Sequence, residues 1–339
     1  MILEGRKTIA IVLLSALVLA VPATSRPQSA GTATPKVLQD RLNALAASFP
    51  GKVGIYVRNV ETGETVAVQA DDTYPMASTY KVAIMLQVFR QVEAGKISLD
   101  ERVTLTQSDL RPGSGLFSYM TPGLAPTIHD LLLMMIDVSD NEATDVLLKR
   151  VGAANVTAML RSLGIQNIRV DRPTEQIIAD WLGAADPQFR GKTAAEILSH
   201  PEAFAKLTQE QMDKAGQSLT DDPRDHASPR AMGELLEKIV KSEAASEKSC
   251  RDMLGIMQKQ EHRSRISRFM GDMTTATKSG TIGATTNDVG VLYVGKRHVV
   301  IAVDTIKANS LVQTDQAEEV IGRIAKATYD YFVATGASQ

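Results

Sequence analysis

Strand-forming segments stand near both ends of the chain, with a long helical stretch between them. Close to the N-terminus, Val53–Val57 and Thr65–Val68 are rich in β-branched residues and are joined by the turn-forming segment Glu61–Glu64. Close to the C-terminus, Asp288–Val294 and Val299–Val303 repeat this pattern around a Gly-Lys turn. One antiparallel sheet built from both chain ends is the most economical way to bury the apolar faces of two such hairpins.

The rest of the chain predicts how this sheet is covered. Helical periodicity precedes the first hairpin at Val37–Ala47 and follows the second in an apolar stripe that ends at Phe332. We therefore expect an α/β (α+β) fold in which terminal helices flank the sheet and the intervening residues form an inserted all-helical lobe. The expected boundaries are about 36–77 and 274–339 for the α/β lobe and about 78–273 for the helical lobe.

The first thirty residues, 1–30, predict an export signal. Arg6 and Lys7 precede an uncharged apolar run, Ile9–Val21, and small residues follow it, an order typical of secretory signal peptides. The alternative is a retained membrane anchor, but about 13 apolar residues are fewer than the roughly 20 that a spanning helix needs. We expect cleavage between Ala23 and Ala30, a secreted or periplasmic protein, and no stable membrane anchor afterwards.

Charge and side-chain composition exclude several classes of protein. The 37 Lys and Arg residues nearly balance the 39 Asp and Glu residues without a long run of either sign, so nucleic acid is not an expected partner. Cys250 is the single cysteine, which rules out an intramolecular disulfide. The five histidines lack the spacing of metal ligands, and we expect neither a metal nor another cofactor.

The segment Pro75–Leu86 places a serine and a lysine, Ser78 and Lys81, one turn apart in a mostly apolar helical pattern that ends near Gly95. Burial lowers the pKa of a lysine, so that its amine can accept a proton. A hydroxyl in the first turn of the same helix is then a candidate nucleophile, and backbone N–H groups there can stabilise an oxyanion. The alternative is that Ser78 only caps the helix while Lys81 extends to solvent.

Two further motifs follow in order along the chain. Ser139-Asp140-Asn141 precedes a helical pattern, and Lys278-Ser279-Gly280 precedes the C-terminal hairpin. Each alone is compatible with a helix cap or a polar turn, but the coincidence of all three motifs is improbable for this composition. Together they resemble the Ser-x-x-Lys, Ser-Asp-Asn and Lys-Thr-Gly motifs of class A serine β-lactamases and penicillin-binding proteins. The resemblance covers the chain from about Val37 to the C-terminal helix.

This resemblance implies a two-lobe serine hydrolase that acts without a cofactor on a β-lactam or a D-Ala-D-Ala-type peptide, and we expect a monomer. Ser78 would be the acylated nucleophile, Lys81 its proton acceptor, and Ser139 the group that passes a proton to the leaving nitrogen. The resemblance also implies that the N–H groups of Ser78 and Thr281 form the oxyanion hole. Asn141 would place the substrate amide, and Lys278 and Ser279 would bind the substrate carboxylate. Asp140 would brace the second motif.

The sequence departs from the family in the loop that carries a second base. Counted from Arg172, the position of the family's glutamate falls on Thr174 and that of its asparagine on Ile178, while Glu175 comes one residue late. An ion pair from Arg172 to Asp225 should close this loop.

Two other features differ from the family pattern. An additional segment, Trp181–Leu219, lengthens the loop and has the pattern of one or two amphipathic helices. Family members often anchor the substrate carboxylate with an arginine near the third motif, but Thr285–Asp288 contains none. Lys307 or an arginine from elsewhere in the chain would have to replace it.

The displaced Glu175 leaves three functions open. If the loop shifts its register, Glu175 activates the hydrolytic water and the protein turns over β-lactams, which is the function we favour. If Glu175 is a surface residue, the protein is a D-alanyl-D-alanine peptidase or a slowly deacylating penicillin-binding protein. A non-catalytic sensor of β-lactams or peptidoglycan fragments is the third possibility, and the intact motifs argue against it.

Overall fold

The computed structural model describes residues 35–109, 111, 113–200, 202, 205–307 and 311–336. The export signal expected in residues 1–30 lies outside the described residues. None of the described helices combines the length and the apolar composition of a membrane-spanning segment. The described helices are α1 (Pro35–Ser48), α2 (Lys81–Glu93), α3 (Ile128–Asp137), α4 (Asn141–Val151), α5 (Ala153–Ser162), α6 (Thr174–Ala185), α7 (Ala194–Leu198), α8 (Gln209–Asp221), α9 (Pro229–Val240), α10 (Glu247–Met257) and α11 (Leu311–Gly336). The described strands are β1 (Lys52–Asn59), β2 (Thr65–Val68), β3 (Tyr74–Pro75), β4 (His226–Ala227), β5 (Thr275–Ile282), β6 (Thr285–Val294) and β7 (Arg297–Ile306).

One antiparallel sheet of five strands, in the order β2-β1-β7-β6-β5, joins the two ends of the chain. Strand β1 pairs along its whole length with β7, so that Ile55 lies opposite Val303. This arrangement confirms the α/β fold predicted from the sequence. The four predicted strands are present, and β5 adds an edge strand that carries the third motif. Because β5 has few β-branched apolar residues, pairing with β6 stabilises it more than its own pattern does.

The terminal helices cover one face of the sheet. Leu38 and Leu42 of α1 and Ile321 and Ile324 of α11 are essentially inaccessible to solvent and form one cluster with sheet residues such as Ile301. The three-and-four spacing of these side chains places them on one face of each helix, which packs against the sheet.

The helical lobe is built around α2. All residues from Lys81 to Leu86 are buried, as are Val88 and Phe89, and α2 packs against α3, α4 and α5. A helix that is apolar on all sides lies at the centre of its lobe, so the ammonium group of Lys81 is enclosed by protein. The first turn differs from the continuous helix that the sequence predicts, because Ala77–Tyr80 forms a 3-10 turn and α2 begins at Lys81.

The additional segment forms the end of α6, then α7 and α8. Its residues Leu182, Phe189 and Ile197 make a small apolar cluster of their own. Helix α8 also touches the β5–β6 turn, where a Cβ atom on Gly283 would lie 3.2 Å from the Cα of Gly216. The segment therefore reaches the end of the strand that carries the third motif.

Candidate active site

Ser78 lies in a strained turn between β3 and α2. Its neighbour Ala77 has a left-handed backbone with φ of 47°, a conformation that costs energy for a residue with a Cβ atom. The buried amide of Asn287 holds the preceding residues, because its Nδ2 donates to the carbonyl oxygens of Pro75 at 2.8 Å and Met76 at 3.3 Å. The turn is thereby fixed against the sheet, with Ser78 half-buried at its edge.

The close approach of this turn to β5 requires a glycine. A Cβ atom on Gly280 would lie 2.8 Å from the backbone nitrogen of Ser78 and 2.9 Å from the carbonyl oxygen of Met76. Both are backbone atoms that cannot rotate away. The glycine of the third motif is therefore what allows β5 to lie beside the candidate nucleophile.

Lys81 joins the first motif to the second. Its Nζ donates to the carbonyl oxygen of Ser139 at 2.8 Å, to Ser139 Oγ at 3.1 Å and to Asn141 Oδ1 at 3.0 Å. Burial lowers the pKa of Lys81 to about 7, and the negative charges of Asp140 and Asp145 oppose this shift. A substantial fraction of the amine is therefore neutral near pH 7 and able to accept a proton.

The second motif is held by the carboxylate of Asp140. Its Oδ1 accepts from the N–H of Ala143 at 2.9 Å and caps α4. Its Oδ2 accepts from the N–H groups of Leu116 at 2.7 Å and Phe117 at 2.9 Å in the loop before α3. Both carboxylate oxygens of Asp140 therefore accept backbone N–H groups. Ser139, with φ of 57°, directs its hydroxyl group towards Lys81.

The third motif lies on the free edge of β5. The N–H of Ser279 donates to Gln260 at 2.7 Å and so points away from β6. Alternate residues of an antiparallel strand direct their N–H groups to the same side, so the N–H of Thr281 also points to the free edge, towards the turn of Ser78. Both backbone donors of the expected oxyanion hole thus belong to segments that pack together.

Lys278 is fully buried, and among the described residues no carboxylate is hydrogen-bonded to it. Its Nζ donates to the carbonyl oxygen of Ser279 at 2.8 Å and to Gln260 Oε1 at 3.3 Å, and both acceptors are uncharged. Burial, followed by the positive charge of Lys81, lowers the pKa of Lys278 well below its usual range. An anion bound beside Lys278 would offset part of this cost.

Two residues of the site, Gln260 and Arg265, lie outside the three sequence motifs. Gln260 contacts every residue from Thr277 to Ser279. Arg265 is buried and donates through Nη1 to the carbonyl oxygen of Gly280 at 2.9 Å and through Nη2 to Thr281 Oγ1. Arg265 thus brings an arginine to the third motif, where the sequence offers none nearby. No local pattern marks either residue, because both lie in the irregular segment between α10 and β5.

The loop after α5 directs Thr174, and not Glu175, towards Tyr80 in the turn before α2. Thr174 Oγ1 and the hydroxyl group of Tyr80 are 2.8 Å apart in a buried contact. Glu175 Oε1 accepts from the N–H of Ala195 in α7 at 3.3 Å, and its Oε2 lies 3.9 Å from Arg111 Nε. Within the part of the chain that the structure describes, no hydrogen bond joins the Glu175 carboxylate to the three motifs.

An ion-pair network closes this loop around the buried Arg172. Its Nε lies 2.7 Å from Asp225 Oδ2, and its Nη1 lies 2.7 Å from Asp180 and 3.0 Å from Asp222. Asp225 also accepts from the backbone N–H groups of Asp171 and Arg172. Because Asp180 and Asp222 lie on either side of α7, the same network holds both ends of the additional segment.

The chain is matched along most of its length by one family model, that of the β-lactamase enzyme family, over residues 36–332. The chain belongs to this family. It is 26% identical to the carbapenem-hydrolysing β-lactamase KPC of Klebsiella oxytoca over 303 residues, which cover 87% of this chain and 89% of that protein. The class A serine β-lactamase family predicted from the three motifs is thereby confirmed, and the chain is a serine hydrolase of this family.

Two solved structures share the fold. The β-lactamase from Sphaerobacter thermophilus superposes with a TM-score of 0.70 at 26% identity, covering 90% of this chain and 98% of that one. PBP-A superposes with a TM-score of 0.68 at 23% identity, covering 87% and 96% of the respective chains. At that identity the second likeness establishes the fold alone.

Proposed function

We propose that the protein opens β-lactam rings through an acyl-enzyme on Ser78. The observation that carries this proposal is the buried contact between Lys81 Nζ and Ser139 Oγ. Lys81 stands three residues after Ser78. In its neutral form, Lys81 accepts the proton of the Ser78 hydroxyl group as Oγ attacks the lactam carbonyl carbon. Ser139 then passes a proton to the ring nitrogen as the C–N bond breaks, and the N–H groups of Ser78 and Thr281 stabilise the oxyanion.

Positive charge beside the third motif supports recognition of the carboxylate that β-lactams carry next to the ring nitrogen. Lys278 supplies an ammonium group whose acceptors within the described part of the chain are uncharged, and Ser279 supplies a hydroxyl group beside it. Arg265, whose Nε lies 3.2 Å from Glu318 Oε1, adds a guanidinium group through its contact with Thr281. Charge-assisted bonds of this kind are stronger than neutral ones. Asn141, bonded to Lys81, is placed to orient the amide of the substrate side chain.

A second candidate function is favoured by the placement of Glu175. Hydrolysis of the acyl-enzyme needs a base beside the ester, and the carboxylate of Glu175 instead contacts α7 and Arg111. The carboxylates whose charge reaches Lys81 are Asp140 and Asp145, and both accept backbone N–H bonds. In this candidate the enzyme acylates rapidly and deacylates slowly, as a penicillin-binding protein or a D-alanyl-D-alanine peptidase would.

The proposed function includes export of the protein. The charged start, apolar run and small residues of positions 1–30 favour a protein that is secreted or periplasmic after cleavage. The catalytic domain would then begin near residue 36 and act as a monomer on a small β-lactam or a D-Ala-D-Ala-type peptide.

The test incubates the protein with one chromogenic cephalosporin and follows both the release of colour and the intact mass of the protein. Steady turnover that Glu175→Gln abolishes would establish Glu175 as the base of a β-lactamase. A stoichiometric burst with a persistent adduct on Ser78, equal in the wild type and in Glu175→Gln, would establish the slowly deacylating enzyme. An adduct that survives in Ser78→Ala, or no adduct and no turnover in the wild type, would contradict the proposed function.

A further inference from the structure

Gln260 is a buried amide in contact with the third motif. It follows α10, is 5% exposed, and makes hydrogen bonds with three consecutive residues of β5. Its Oε1 accepts from the N–H of Ser279 at 2.7 Å, from Ser279 Oγ at 3.1 Å and from Lys278 Nζ at 3.3 Å. Its Nε2 lies 2.6 Å from Thr277 Oγ1. A backbone N–H and an ammonium group can only donate, so the oxygen of the amide must face them.

The amide fills the acceptor positions that a substrate carboxylate would take. Lys278 Nζ and Ser279 Oγ both donate to the same uncharged oxygen in the free protein. A carboxylate is a stronger acceptor than an amide for both donors. An arriving substrate anion can therefore draw these two donors from Gln260, while the N–H of Ser279 keeps its bond to Oε1.

Because the Gln260 side chain is neutral, the positive charge of Lys278 stays available to a substrate anion. The ionisable groups that interact electrostatically with Lys278 include Lys81, Asp288, Arg265, Asp137 and His262. None of them is hydrogen-bonded to its Nζ within the described residues. A carboxylate at position 260 would lie in direct contact with the ammonium group and compete with the substrate.

We infer that Gln260 is a positioning residue that holds Lys278 and Ser279 in place and, because its amide is uncharged, reserves their donors for a carboxylate on the substrate. This inference rests on the proposed function, since the substrate it names is a carboxylated β-lactam or peptide. It concerns binding, which precedes acylation and does not depend on how the acyl-enzyme is hydrolysed.

The test uses the full-length Ser78→Ala chain, which cannot be acylated at Ser78, and a matched pair of ligands. The ligands are one penicillin as the free carboxylate and as its methyl ester, titrated by NMR chemical shift. Gln260→Glu, which preserves shape and adds charge, should weaken binding of the carboxylate at least about tenfold, which corresponds to about one pKa unit of competing interaction. Binding of the ester should stay within about twofold, because the ester carries no charge for Lys278 to recognise.

Gln260→Met is the matched control because it removes the acceptor without adding charge. It should weaken carboxylate binding less than Gln260→Glu does. Equal losses for carboxylate and ester in both variants would overturn the inference and leave Gln260 a purely structural residue. Equal affinity of the Ser78→Ala protein for the two ligands would overturn it as well, since the carboxylate would then have no site.

A second readout needs neither ligand nor activity. The pKa of Lys278, followed by NMR of labelled lysine side chains and assigned by loss of its signal in Lys278→Arg, should rise by about one unit or more in Gln260→Glu. It should not rise in Gln260→Met. An unchanged pKa in Gln260→Glu would overturn the inference even if Ser78 is acylated normally. Conversely, failure of Ser78 to acylate would contradict the proposed function while both Gln260 measurements kept their meaning.

Discussion

Acylation of Ser78 should accelerate with pH across neutrality because its proton acceptor is a lysine with a lowered pKa. Burial lowers the pKa of Lys81 to about 7, against the opposing charges of Asp140 and Asp145. Only the neutral amine accepts a proton, so the reactive fraction is about one-tenth at pH 6 and about nine-tenths at pH 8. The acylation rate constant should therefore rise about tenfold over this interval.

The assay is rapid quenching of protein with excess β-lactam, followed by intact mass. A methyl ester of the β-lactam is used so that titration of Lys278, which binds the carboxylate in our proposal, does not enter the profile. Asp145→Asn is the matched variant, because loss of a negative charge that supports the protonated amine should move the midpoint to lower pH. A rate that is flat or falls between pH 6 and 8, or a midpoint that moves upward in Asp145→Asn, would refute the assignment of Lys81 as the base.

Three substitutions test other parts of the site. Thr174→Glu places a carboxylate on the side of the loop that faces Tyr80 and should shorten the lifetime of the Ser78 adduct in intact-mass time courses, whereas Thr174→Gln should not. Arg172→Gln leaves the buried Asp225 without its cation and should lower the free energy of unfolding by about 3–5 kcal/mol in urea titrations; a loss below about 1 kcal/mol would contradict a buried network. Gly280→Ala should slow acylation at least about tenfold, because its Cβ atom would displace the backbone of Ser78, and an unchanged rate would show that the turn can move.

Much of the architecture follows from local patterns in the sequence. Runs rich in β-branched residues near both ends and helical periodicity between them predict the mixed fold, because few arrangements of layers bury the apolar faces of both kinds of element. The lysine within the apolar pattern of α2 likewise predicts a buried amine. The order of the three motifs adds the family and the chemistry of acylation.

The tertiary structure decides the features that depend on contacts between distant residues. The third motif forms part of a strand because β5 pairs with β6, and this strand is the last in the sheet. Gln260 and Arg265 belong to the site because an irregular segment folds against that strand, and no periodicity in their own segment predicts it.

The same distinction applies to the step that follows acylation. The sequence determines that Glu175 stands one residue beyond the family's position, but not which way its side chain points. That direction is set by Asp145, whose two oxygens accept the N–H groups of Thr174 and Glu175 at 2.6 and 3.1 Å and so fix the start of α6. With this start fixed, the hydroxyl group of Thr174 contacts Tyr80 in the turn before α2, and the carboxylate of Glu175 faces the additional segment. Ser78 and Lys81 could be recognised from the sequence because they stand three residues apart, whereas the surroundings of the acyl-enzyme depend on residues brought together from distant parts of the chain.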